Sequence, residues 1–90
     1  MSVTININQS LQTLTKGEKT VKVQGRTVGE TLNNLVNRYP DLKPLLFTKK
    51  GKLHSYIEIF VNKETSYPEE LAKSVTDGDK IDIINIIAGG

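Results

Sequence analysis

Cysteine is missing from this chain altogether. That absence excludes disulfides, thiolate metal sites, persulfide chemistry and cysteine nucleophiles together. Histidine occurs once, at His54, so a multi-histidine zinc or iron site cannot be assembled and no metal is expected. His54 lies between Leu53 and Ser55 after a lysine-rich turn, where packing at or near the surface is a simpler role than catalysis. No Ser-His-Asp set can be argued without a fold to bring its members together. Aromatic residues make up only 6% of the chain, without tryptophan, which leaves little for stacking on nucleic-acid bases. Long apolar runs are also lacking: none approaches the ~20 residues that span a bilayer. Residues 1–14 contain no Lys or Arg and alternate polar with apolar, unlike a signal peptide. A cytoplasmic protein with no membrane partner is expected.

What is present is 90 residues, 37% hydrophobic and 24% charged, read as a single domain over 1–90. A chain of this length buries about 60 to 65% of its unfolded surface, so the core is modest. Charge is unevenly distributed. Residues 15–52 hold nine Lys or Arg against three acids, and residues 53–90 hold three against seven. Lys49, Lys50 and Lys52 could touch nucleic acid, but without interleaved aromatics a solvated turn explains them as well, and no nucleic-acid partner is expected. The late acids Glu58, Asp77, Asp79 and Asp82 are expected near the end of the chain, facing basic partner surfaces.

Along the chain, Val3, Ile5 and Ile7 alternate with polar residues and predict a half-buried strand. Polar residues 9–17, ending in Lys16-Gly17, predict a hairpin connection to a second alternating strand at Thr20–Val23, paired antiparallel with the first. Thr27-Val28-Gly29-Glu30 fits a capping box in which Glu30 reaches back to the cap. Val28, Leu32, Leu35, Val36 and Tyr39 form one stripe of the helix that follows, ended by Pro40. Residues 41–52 predict an irregular turn plugging the core edge with Leu42, Leu45, Leu46 and Phe47. In Tyr56–Val61 the alternation puts Ile57, Ile59 and Val61 on the core face, and Tyr56, Glu58 and Phe60 on the other.

Asp77-Gly78-Asp79 is a turn signal before the apolar strand Lys80–Ile87. If Ile81 and Ile83 face the core, Ile84 and Ile86 face out and join Phe60 in a partner-binding patch; a bulge near Asn85 would return them inside. The strand runs straight into Ala88-Gly89-Gly90, predicted to be a flexible tail. Lacking Cβ atoms, Gly89 and Gly90 suit a slot too narrow for side chains and leave a carboxylate on Gly90 sterically open. The order of elements predicts an α+β roll, a β-grasp (ubiquitin-like) fold with a mixed sheet of four to five strands and one main helix. The first and last strands would be central and parallel, which explains the nearly continuous apolar character of residues 81–87. Two-iron ferredoxins share this architecture but need four cysteines.

Gly51-Lys52-Leu53-His54, Ile59-Phe60-Val61-Asn62, Asp77-Gly78-Asp79 and the closing Ala88-Gly89-Gly90 carry a resemblance that covers essentially the whole chain. The sequence resembles the ThiS/MoaD family of ubiquitin-like sulfur carriers, and within it the CysO-type MoaD-like carriers. The resemblance implies a carrier, not an enzyme. An E1-like enzyme would use ATP to adenylate the Gly90 carboxylate, and a sulfur donor would convert the adenylate to a thiocarboxylate. Sulfur would then pass to an acceptor enzyme, cysteine synthase-like or one serving another sulfur amino acid, molybdopterin or thiazole. Gly90 would carry the group, while Gly89 and Ala88 thread the partner. No bound cofactor is implied. Two other readings stay open: a ubiquitin-like modifier joined to lysines through Gly90, and a non-catalytic interaction module.

Overall fold

The computed structural model describes residues 2–85. Ile86, Ile87, Ala88, Gly89 and Gly90, and with them the predicted tail and one member of the apolar patch, lie outside the described residues.

Five strands, β1 (Ser2–Asn6), β2 (Thr20–Gln24), β3 (Ile57–Val61), β4 (Glu64–Thr65) and β5 (Lys80–Asn85), form one sheet in the order β2-β1-β5-β3-β4. β1 and β5 are parallel, and every other neighbouring pair is antiparallel. The register stacks apolar residues on one face: Val3 opposes Val23, Ile5 lies between Val21 and Ile81, and Ile59 opposes Ile83. Helix α1 (Val28–Arg38) lays Val28, Leu32, Leu35 and Val36 into the same core. This is the predicted β-grasp. β5, central in the sheet, holds the last described residue, Asn85.

The start of α1 is fixed by local chemistry. Thr27 Oγ1 accepts from the Glu30 N–H at 3.1 Å, as a capping residue should. The return bond differs from expectation: Glu30 Oε1 accepts from the N–H of Arg26 at 2.8 Å, one residue before the cap. Thr31 is fully buried although polar, because its hydroxyl donates to the Val28 carbonyl at 2.7 Å.

Two connections differ from the sequence reading. Residues 9–17 are not a polar hairpin loop, since Gln9–Thr15 wind into a 3-10 helix with Leu11 and Thr15 buried. The side chain of Asn8 caps it by accepting from Ser10 N–H, and the Thr15 hydroxyl bridges the carbonyls of Gln12 and Glu18. Satisfying that hydroxyl is what lets a polar residue sit in the core. Pro40–Leu42 form a 3-10 turn and Lys43–Leu46 one turn of helix, α2, which bury Leu42, Leu46 and Phe47 but leave Leu45 exposed.

Candidate docking face and the root of the tail

β5 is anchored at its start by the Asp77-Gly78-Asp79 turn. Gly78 takes a left-handed φ of 89°, and its N–H donates to the Ser2 carbonyl at 2.9 Å. Asp77 Oδ1 accepts from Ser2 N–H at 2.9 Å. Asp79 Oδ2 accepts from Thr76 N–H at 2.8 Å, and its Oδ1 accepts from Asn62 Nδ2 at 3.0 Å. Asn62 completes the clip, its Oδ1 accepting from Lys80 N–H at 3.0 Å. The hydrogen bond from Asn62, then that from the Thr76 backbone, hold the Asp79 carboxyl below its ordinary range. Asp77 and Asp79 therefore stitch β5 to β1 and β3 at the end of the strand opposite the tail. The expectation that they cluster near the chain's end is corrected. Of the four late acids, Glu58, paired with Ile84, is nearest to Asn85 along the ladder, and it accepts from Thr65 Oγ1 at 2.6 Å. Asp82 lies mid-strand and accepts from Asn6 Nδ2 at 2.8 Å.

The sheet face away from α1 carries the predicted patch. Ile81 and Ile83 are buried, Ile84 is 37% exposed and Phe60 is half-buried. Phe60 opposes Asp82 and Glu58 opposes Ile84, so Phe60 and Ile84 are diagonal neighbours on one face. With Lys63 and Asp82 they line a shallow depression of about 430 Å³. Pairing continues without a bulge to Ile57 opposite Asn85, so up to that residue the alternation that turns Ile84 outward is intact. Ile86 lies outside the described residues. Tyr56 does not join the patch: it precedes β3, packs against the core edge and stacks on His54 with ring centroids 4.8 Å apart. Leaving the ladder at Ile57 frees Tyr56 from the strand's alternation. His54 is half-buried, and its Nε2 meets the Pro44 carbonyl at 2.9 Å. Sequence reasoning missed Asn62, whose place in the clip depends on Asp79, 17 residues on.

Beyond Asn85 the five remaining residues can reach at most roughly 17 Å from the end of the sheet. Among the described residues, no cluster of three or more His, Cys, Asp and Glu could hold a metal ion, and no helix is long and apolar enough to cross a membrane. The model of the ThiS family matches residues 5–90. The chain belongs to the ThiS family. This family member is 34% identical to the sulfur carrier protein CysO of Mycobacterium tuberculosis over 93 aligned residues, the whole of both chains. It is 30% identical to small archaeal modifier protein 1 of Haloferax volcanii over 77 residues, 82% of this chain and 85% of that protein. Among solved structures it matches a chain of the Amycolatopsis orientalis BexX/CysO complex with a TM-score of 0.88 and 37% identity, covering 98% of this chain and 99% of that one. The ThiS-family chain thus shares its β-grasp with a carrier solved in complex with another protein.

Proposed function

We propose that this ThiS-family chain is a sulfur carrier that works through the carboxylate of Gly90. The observation that carries the reading is the family match, which runs through Ala88-Gly89-Gly90 on a chain whose sheet delivers its central strand directly to that tail. A carboxylate is a poor electrophile. An E1-like partner overcomes this by joining Gly90 to the AMP portion of ATP, with loss of pyrophosphate. Sulfide-level sulfur supplied by a donor then attacks the acyl carbon and AMP leaves, which gives a thiocarboxylate on Gly90. Its terminal sulfur is a soft nucleophile for an acceptor protein's substrate.

The chain itself supplies presentation, not catalysis. Gly90 bears the group, Gly89 and Ala88 enter the partner, and Phe60, Ile84 and Ile86 dock the E1-like enzyme. ATP is bound by that partner, which fits a cytoplasmic cycle. The likeness to CysO favours a cysteine synthase-like acceptor over those of molybdopterin or thiazole synthesis. A second reading, conjugation of Gly90 to lysines of target proteins, is favoured by the 30% identity to small archaeal modifier protein 1. Intact mass of the protein from its native host separates them. A one-atom exchange of oxygen for sulfur marks the carrier, a ladder of heavier conjugates marks the modifier, and an unaltered chain under sulfur demand contradicts both.

A further inference from the structure

A second site lies near Asn85, the last described residue of β5. Asn85 pairs with Ile57, whose N–H donates to the His54 carbonyl at 3.0 Å, and His54 N–H donates in turn to the Leu46 carbonyl at 3.0 Å. Beside this junction Lys43, Pro44, Phe47, Thr48, Lys49 and His54 line a largely apolar, open cavity of about 410 Å³. The adjoining turn is held rigidly. Thr48 N–H donates to the Lys52 carbonyl at 2.7 Å, Gly51 N–H to the Thr48 carbonyl at 2.9 Å, and a β-bridge joins Phe47 to Leu53. Thr48 Oγ1 accepts from both Lys50 and Lys52 N–H at 3.3 Å.

The charged side chains that line the cavity, Lys43 and Lys49, are both cations. Neither Lys43 nor Lys49 is paired with a carboxylate among the described residues. None of these residues belongs to the Phe60 and Ile84 face. An apolar cavity lined by two cations that have no carboxylate partner among the described residues fits one large apolar side chain flanked by carboxylates. A nucleic-acid backbone would satisfy the lysines but would leave the cavity empty. Of the two rings that line it, Phe47 is buried in the core and His54 is stacked on Tyr56, so neither is free to stack on a base.

We propose that this cavity docks an acidic protein segment with one large apolar side chain at its centre, separately from the Phe60 and Ile84 face. Resting on the carrier reading, that segment belongs to a protein that receives the tail, because His54, which lines the cavity, is hydrogen-bonded to Ile57, the residue opposite Asn85. The carrier could then be held by its end while its sheet face is free.

The test is titration of ¹⁵N-labelled full-length protein with a synthetic peptide in which Leu is flanked on each side by Asp and Glu. Its controls are the same peptide with Gly for Leu, and a single-stranded oligonucleotide of equal charge. Saturable shifts confined to residues 43–56 are expected, with binding about tenfold weaker for the Gly peptide and for Lys49→Glu protein of unchanged melting temperature. Equal binding of the Leu and Gly peptides, tighter binding of the oligonucleotide at the same residues, or no saturable shift there would each overturn the proposal. Neither ATP nor an activating enzyme is present, so failure here leaves the carrier reading intact, and failure of that reading leaves the titration interpretable.

Discussion

Asp79 and Asn62 show how a single side chain can set where a strand begins. Asn62 donates to the Asp79 carboxylate and accepts from Lys80 N–H, so the pair ties β5 to the end of β3. Because folding lowers the Asp79 pKa, the carboxylate stabilises the fold fully above its unfolded value of 3.8, and that contribution is lost as pH falls through the lower folded value. Wild type should therefore exceed Asp79→Asn in stability at neutral pH, with the gap closing at acid pH; a gap constant down to the acid transition contradicts the clip. Phe60 carries a different prediction. Truncating a half-buried aromatic at the centre of a docking face should cost binding to the E1-like partner about 1 to 3 kcal/mol. If Phe60→Ala instead unfolds the domain while affinity per folded molecule is unchanged, Phe60 is a core residue and not a docking one. The outward turn of Ile84 and the Asp-Gly-Asp turn were legible because both are local patterns. Asn62 was not, since its partner is distant in sequence, and Tyr56 was misassigned because alternation was carried one residue beyond the ladder.

At the scale of elements, α1 was readable from its stripe and its cap, but its closest neighbour was not. A Cβ on Gly29 would lie 3.1 Å from the backbone carbonyl oxygen of Leu71, in the 3-10 turn Glu70–Ala72. Val28 N–H donates to the Lys73 carbonyl at 2.9 Å, which leaves that turn little room to retreat. Gly29→Val should thus destabilise by about 1 to 3 kcal/mol in denaturant melts. A neutral or stabilising result means that the turn yields. The 3-10 helix at Gln9–Thr15 was hidden for a related reason: its composition is that of a loop, and only burial of Leu11 and a doubly bonded Thr15 hydroxyl makes it an element. β4 was equally silent, two exposed residues defined by pairing with Phe60 and Val61.

For the whole molecule, β5 is the strand that joins the two halves of the sheet. β1 pairs with it in parallel on one edge and β3 antiparallel on the other, so its backbone groups are bonded on both sides. That arrangement puts the chain's last described residue, Asn85, at the end of a central strand, with Ala88-Gly89-Gly90 following in sequence. Core residues and tail are then separable, and changes to the tail should leave thermal melts near wild type. The most direct measurement is ATP–pyrophosphate exchange by the cognate E1-like enzyme, with four substrates: wild type, the chain lacking Gly90, the chain with one residue added after it, and Gly89→Val. Exchange should proceed with wild type and collapse with the other three, because adenylation needs the Gly90 carboxylate free and a Cβ at Gly89 meets the wall of a water-excluding channel. Full exchange from the extended chain, with the added residue shown by mass to be still attached, would contradict the carrier account.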